Sequence, residues 1–292
     1  MIACLRRLVA KCDTISGYSP LTKPTCKRCF PVKKILITGA GGRVGRVVAD
    51  GLRVTGQYEV LATDARPDPD HAIEALDVRD AESLASRFAG VDTVIHLAWY
   101  MRSDQFHEQI IPVNIAGTYH LYEAARLNRV RRVIFGSSNH ATGFYRSDEP
   151  VMPDMPMRPD SLYGLGKCWG ELVGRLYADK YDVSAINVRI GNFNAENQPG
   201  SLRATRIWIS HRDIVQLMIR CIEADDDIRF LTLYGTSANT RSYYPIDYLA
   251  DLIGYQPQDN GELYVEEILR ANPQDLSDYE FQGGGMLKRE DG

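Results

Sequence analysis

Short apolar runs alternate with stretches of helical period along most of this 292-residue chain. Val32-Lys33-Lys34-Ile35-Leu36-Ile37-Thr38 is a brief run rich in β-branched residues, the pattern of a strand buried on both faces. Val44, Val47, Val48 and Leu52 then recur three and four apart, as one face of a helix. Comparable strand runs lie at 58–63, 75–78, 93–98 and 132–135, with helical stretches near 81–88 and 106–127. This alternation predicts an α/β fold: a Rossmann-type doubly wound parallel sheet covered by helices, with ligands bound beyond the carboxyl ends of the strands. The predicted organisation is a nucleotide-binding and catalytic part over 32–190, a small substrate-binding part over 191–270 interleaved with the sheet, and a tail over 271–292.

The first strand runs directly into Gly39-Ala-Gly-Gly-Arg-Val-Gly45. Gly39 permits a sharp turn, Gly42 lets backbone approach a pyrophosphate, and Gly45 lets the next helix pack close to the strand. The helix that opens at Arg43 and Val44 would aim free N–H groups and the positive end of its dipole at those phosphates. The second strand ends in Asp64, about twenty residues on, where a carboxylate holds ribose hydroxyls and repels a 2′-phosphate. NAD is therefore expected over NADP, with Arg43 and Arg66 as nearby cations that oppose the preference. Asp77 and Val78 fall at a later strand end, where Asp77 is placed to meet an adenine amino group.

Residues 1–31 read differently. Arg6, Arg7, Lys11, Lys23, Lys27 and Arg28 face a single acid, Asp13, and four of the six cysteines stand there. The basic residues break up any apolar core of a signal peptide, so export is not expected. Cys26 and Cys29 have C-x-x-C spacing, but Cys4 and Cys12 make an irregular second half for a zinc site. The segment is taken as a disordered extension, or as residues upstream of the true start. Six cysteines make no disulfide scaffold, and Cys168 and Cys221 are expected to be buried thiols. A net charge of −4 argues against a broad nucleic-acid-binding surface, and no run of 18 apolar residues exists to span a membrane. His96 sits inside an apolar strand and is read as a packed histidine. No histidine cluster has metal-ligand spacing, so no metal is expected in the core.

The candidate chemistry begins with Tyr163-Gly-Leu-Gly-Lys167. On a helix these two side chains share a face. A cation at ~4 Å is worth roughly 4 kcal/mol at an effective dielectric near 20, enough to draw a phenol from about 10 toward about 7. Such a tyrosine is a general base near neutral pH. Gly136-Ser137-Ser138-Asn139-His140 follows a strand, so Ser138 is placed to hydrogen-bond the hydroxyl that loses its proton.

Gly39/Gly42/Gly45, Asp64, Asp77-Val78, His96-Leu97-Ala98, Asn114-x-x-Gly117-Thr118, Ser138 and Tyr163-x-x-x-Lys167 stand in order. The chain from Lys33 to about Tyr255 resembles the extended short-chain dehydrogenase/reductase superfamily. The resemblance implies cofactor contacts from Leu97, Ala98, Asn114, Tyr163 and Lys167, with Asn114 helping to hold the lysine through water. Members of the superfamily often pair through a helix bundle, which allows a homo-oligomer, and the composition points to a cytoplasmic protein. More narrowly, Ser137-Ser-Asn-His140, Val188-Arg-Ile-Gly-Asn192, Trp208-Ile-Ser-His-Arg-Asp213 and Phe281-Gln-Gly-Gly284 resemble NAD-dependent uronate dehydrogenases. Tyr243-Tyr-Pro-Ile-Asp247 and Gly254-Tyr-Gln-Pro-Gln-Asp-Asn260 are closer to archaeal NAD-dependent glucose-6-phosphate dehydrogenases. Both groups oxidise C1 of an aldohexose to a lactone. The resemblance makes Tyr163 the base, brings Ser138, Asn139 and His140 to the sugar, and gives Arg203 the acidic group at C6. Arg206 and Arg102 are the other candidate anion partners. The 281–284 segment is expected to fold back near the pocket.

Two departures stand out. Ala98-Trp99-Tyr100-Met101-Arg102 is bulkier than the glycine-rich stretch of uronate dehydrogenases, and Asn192 replaces their usual serine. Both are expected to line the pocket and leave the anion open between carboxylate and phosphate. Two other functions are compatible with the cofactor motif: an NAD-retaining sugar epimerase, and a non-catalytic NAD-binding sensor. The first is disfavoured by the short C-terminal part, the second by the intact Ser138, Tyr163 and Lys167.

Overall fold

The computed structural model describes residues 32–102, 104–273 and 279–287. The basic extension, with Cys4, Cys12, Cys26 and Cys29, lies outside the described residues. The strands are β1 (Lys33–Thr38), β2 (Tyr58–Asp64), β3 (Ile73–Ala75), β4 (Thr93–His96), β5 (Arg132–Ser138), β6 (Ser184–Ile190) and β7 (Phe230–Gly235). They form one seven-stranded sheet in the order β3-β2-β1-β4-β5-β6-β7, and every pairing is parallel. The order reverses between β1 and β4, which opens a crevice at their carboxyl ends.

Alternate residues of a strand face opposite sides of the sheet. Accordingly Ile35 and Ile37 pack with Val48 and Leu52 of α1 (Arg43–Thr55) and with Ile214 and Leu217 of α6 (His211–Glu223). Leu36 packs on the other side, with Leu84 of α2 (Ala81–Arg87), Leu121 of α3 (Gly117–Leu127) and Tyr177 of α4 (Leu162–Lys180). Each fully buried apolar side chain of this kind stabilises the fold by about 1.5–3 kcal/mol. The remaining helices are α5 (Leu202–Ile207), α7 (Leu249–Ile253) and α8 (Val265–Ala271). Among the described residues no helix is long and apolar enough to cross a membrane.

Two elements differ from the sequence reading. The third strand is Ile73–Ala75 rather than 75–78, because the chain turns at once after it. Asp77 accepts from the N–H of Arg79, and Asp80 caps α2 by accepting from Glu82 and Ser83. The stretch expected as one helix over 106–127 is π-helical over Phe106–Ala116 and α-helical from Gly117. Pro112, within the first part, has no N–H to give to an α-helical ladder.

Candidate active site

One groove runs along the carboxyl edge of the sheet, in two chambers that share Gly39, Gly42, Leu97 and Trp99 in their walls. The outer chamber, of about 930 Å³, is lined by Asp64, Asp77, Val78, Leu97 and Ala98. The glycine turn shapes its floor. Gly39 has φ +72°, and a Cβ there would lie 2.4 Å from the Ala98 nitrogen. A Cβ on Gly45 would lie 2.2 Å from the Gly39 carbonyl oxygen, so only glycine lets α1 sit this close to β1. Gly42 caps α1 without any side-chain bond, which leaves the first-turn N–H groups open to an anion.

Asp64 accepts from the Gly41 N–H at 3.1 Å and the Arg66 N–H at 3.0 Å. The other cations of this chamber are matched to their own acids, Arg46 to Asp68 at 2.9 Å and Arg79 to Asp77 at 2.6 Å. Arg79 holds the Asp77 carboxyl below its ordinary range. Open helix N–H groups, a glycine cradle and one carboxylate at the end of β2 fit a dinucleotide.

The inner chamber, of about 410 Å³, gathers Ser138, Asn139, His140, Tyr163, Lys167, Asn192 and Arg203, and also Arg43 and Val44 of α1. Ser161 starts α4 by accepting from the Gly164 N–H at 3.1 Å, and Tyr163 and Lys167 follow one turn apart. The Ser138 hydroxyl stands by the Tyr163 phenol, close enough to favour its ionised form. Lys167 is buried; its Nζ donates to the Gly136 carbonyl at 2.7 Å and stands 3.8 Å from the centre of the Trp99 ring.

The expected activation of the phenol is not built into the protein alone. Burial pushes Tyr163 above its ordinary value, the Ser138 hydroxyl pulls it down, and the Asp160 carboxylate pushes it up. Burial also drives Lys167 well below the usual lysine range, and its Nζ lies 5.5 Å from the Tyr163 ring centre. A desolvated ammonium engaged elsewhere lowers a neighbouring phenol less than a solvated point charge at 4 Å was expected to.

His140 is oriented from behind. Its Nδ1 lies 2.6 Å from Oδ2 of Asp160, whose side chain is fully buried, and its ring meets Tyr163 edge-on at 5.8 Å. Around this chamber the Asn139 Nδ2, Asn192 Oδ1 and Arg203 Nη2 atoms are buried with no hydrogen-bond partner. Native interiors seldom leave such atoms unmatched, and all three residues line the chamber in which a polar ligand would sit. Arg203 is held by its Nε, which donates to the Gln282 carbonyl at 2.8 Å. That carbonyl belongs to the C-terminal segment, which folds back as expected: Phe281 bridges Arg146, and Gly283 donates to the Gly143 carbonyl at 2.8 Å. The two alternative cations sit elsewhere, Arg102 paired with Asp104 on an exposed stretch and Arg206 over the Tyr243 ring at 5.2 Å.

Asn114 braces the loop after β4. Its amide accepts from the Tyr100 N–H at 2.8 Å and donates to the Tyr100 carbonyl at 3.0 Å. His96 is a packed histidine, bonded to Thr38 at 2.8 Å and pushed down to about 3 by burial. Cys168 and Cys221 are buried thiols pushed up to about 12, hence poor nucleophiles. Sequence reasoning missed Asp160, and Met286, which lines the inner chamber, and it placed Gln282 only as part of the 281–284 segment, not as the group that holds Arg203. Only Asp160 left a trace, as an acid next to the helix-capping Ser161.

Residues 35–210 match the NAD dependent epimerase/dehydratase family, and the chain belongs to it. It is an NAD-dependent oxidoreductase of carbohydrate metabolism. The chain is 36% identical over 265 residues to the uronate dehydrogenase of Pseudomonas putida, covering 88% of this chain and 96% of that one. It is also 36% identical over 254 residues to the NAD-dependent glucose-6-phosphate dehydrogenase of Haloferax volcanii, covering 80% and 96% respectively. The crystal structure of uronate dehydrogenase from Agrobacterium tumefaciens superposes with a TM-score of 0.80 at 35% identity, over 88% of this chain and 97% of the other.

Proposed function

We propose that this protein oxidises C1 of an aldohexose bearing an anion at C6, a hexuronate or a hexose 6-phosphate, to the corresponding lactone. The observation that carries the reading is one small chamber with the Ser138–Tyr163–Lys167 group and an unpartnered guanidinium nitrogen of Arg203 in its wall. Relatives named for uronate and for glucose 6-phosphate oxidation both support it. A guanidinium pairs with carboxylate and phosphate alike.

On this reading Gly39, Gly42, Gly45 and the open N–H groups of Arg43 and Val44 hold the pyrophosphate of NAD. Asp64 takes the ribose hydroxyls, and Asp77, Val78, Leu97 and Ala98 line the adenine side. Bound NAD supplies the hydride acceptor and a positive charge beside Tyr163. The Tyr163 phenolate takes the proton of the C1 hydroxyl while Ser138 donates a hydrogen bond to the same oxygen. Lys167, with its positive charge, favours the phenolate. Asn139, His140 and Asn192 bond the sugar hydroxyls, and Asp160 keeps the His140 ring in place. Arg203 binds the anion at the far end of the sugar and so sets which carbon meets the hydride acceptor. Residues 32–190 thus carry the cofactor and the base, 191–270 the substrate side, and the tail braces Arg203.

The reading places the enzyme in the cytoplasm, where thiols such as those of Cys168 and Cys221 stay reduced. It also assigns a homo-oligomer. Leu165, Trp169, Leu172 and Leu176 form an exposed apolar stripe at helical spacing on α4, beside exposed Tyr119 of α3, and such a stripe marks a contact face. The experiment is NADH release from NAD with glucuronate, galacturonate, glucose 6-phosphate and glucose. NADH accumulating with the anionic sugars is the expected result. Sugar turnover without net NADH, as in an epimerase, would overturn the reading.

A further inference from the structure

Lys167 sits in an unusual enclosure. A protonated lysine offers three N–H donors, and one goes to the Gly136 carbonyl at 2.7 Å. The next protein group is the face of Trp99, 3.8 Å from Nζ to ring centre; the rings of Phe135 and Tyr163 are farther, at 5.1 and 5.5 Å. Among the described residues no carboxylate pairs with this ammonium. Glu171, one turn on along α4, is held by Arg189 through two bonds of 2.9 Å and by the Ser137 hydroxyl at 2.5 Å. From β4, His96 faces the lysine as a neutral ring, since burial keeps it from protonating at neutral pH.

Three features aim the indole at this spot. The Asn114 amide grips both backbone groups of Tyr100, the residue after Trp99. Gly166 leaves room on α4, because a Cβ there would lie 2.9 Å from Cζ2 of Trp99. Phe135 meets the indole edge-on at 5.8 Å. The indole Nε1 is buried with no hydrogen-bond partner. The ring is placed by its faces, and one face is what it offers the lysine.

We propose that Trp99 is a positioning residue for the oxidation, its indole face holding the Lys167 ammonium in its charged form beside Tyr163. The proposal rests on the reading of Tyr163 as the base. An ammonium over an indole is stabilised most where water is excluded, and here the asparagine at 114 is committed to the backbone. The indole face thus supports the charged lysine at closer range than Glu171, whose carboxylate favours the same form but is bound to Arg189. Removing the face disfavours the charged lysine; with less positive charge nearby the phenol becomes harder to ionise. The acid limb of the kcat profile, below which Tyr163 is protonated, then moves to higher pH.

The test compares Trp99→Leu and Trp99→Phe in the full chain. Trp99→Leu should move the acid limb up by about one pH unit, while Trp99→Phe, which keeps an aromatic face, should move it by less. The independent readout is NMR of ¹⁵N-labelled lysine side chains in the cofactor-free protein, with Lys167→Arg assigning the signal. The Lys167 midpoint should fall in Trp99→Leu and recover most of the way in Trp99→Phe. If Trp99→Leu does not fold, Trp99→Tyr and Trp99→Phe give the same ordering by ring type. An unchanged Lys167 midpoint and an unchanged acid limb in folded Trp99 variants would overturn the proposal. Wild-type turnover in Tyr163→Phe would instead overturn the base, and the lysine midpoint would still decide for or against Trp99.

Discussion

The two chambers of the groove are built from different materials. The floor of the outer one is backbone, a glycine turn and open helix N–H groups, with the Asp64 carboxylate at the end of β2; residues from 65–79 and 97–113 close the rest. The inner one is made of side chains from separate stretches of chain: Trp99, Ser138 to His140, Tyr163 and Lys167, Asn192 and Arg203, and Met286. Backbone recognition requires only that side chains be absent at fixed positions, so it tolerates little change. Side-chain recognition requires distant segments to converge, and it varies with each of them. The first arrangement suits a cofactor shared by many enzymes, the second a substrate particular to a few.

Breaking the inner chamber at its base should have the largest effect. Tyr163→Phe keeps the ring but removes the proton acceptor; kcat should fall by about 10² or more, with NAD affinity nearly unchanged in a fluorescence titration. Breaking the outer chamber at its backbone comes next. Gly45→Ala forces a methyl against the Gly39 carbonyl, so helix α1 must move. That costs about 1–3 kcal/mol of stability, read as a lower melting temperature, and raises KM for NAD while leaving the sugar KM less affected. The mildest change is Asp64→Ala, which removes one contact at an exposed ribose, worth about 1.4 kcal/mol. KM for NAD should rise about tenfold, and the gap between NAD and NADP should narrow, because a 2′-phosphate no longer meets a carboxylate. Equal use of both cofactors by the unaltered protein would mean that Arg66 or Arg43 outweighs Asp64.

Most of the sheet and the glycine floor of the outer chamber were legible in the sequence for the same reason. A glycine turn after a buried strand, with an acid at the end of the next one, is a local pattern with a fixed mechanical meaning. The third strand was misplaced by two residues because the Asp77–Arg79 turn cuts short an apolar run that reads as strand. The inner chamber was legible only where spacing carried it, as for Tyr163 and Lys167 on one helix face. The support behind it was not. Asp160, which orients His140, and Gln282, whose carbonyl holds Arg203, act through contacts between residues 20 and 79 apart in sequence. Nor does residue type reveal desolvation: the lysine expected to lower its neighbour is itself buried and has its own charge penalised.

On the proposed function, a cation at the far end of the inner chamber reads an anion on C6. Arg203 is the side chain that carries it. The decisive measurement is kcat/KM for glucuronate, glucose 6-phosphate and glucose with the unaltered protein, Arg203→Ala and Arg203→Lys. The expected result is a strong preference for one of the two anionic sugars over glucose, lost in Arg203→Ala by about 10-fold or more and little restored by lysine, which cannot form two parallel bonds. An unaltered protein that prefers glucose, or an Arg203→Ala variant that keeps the full preference, would contradict it.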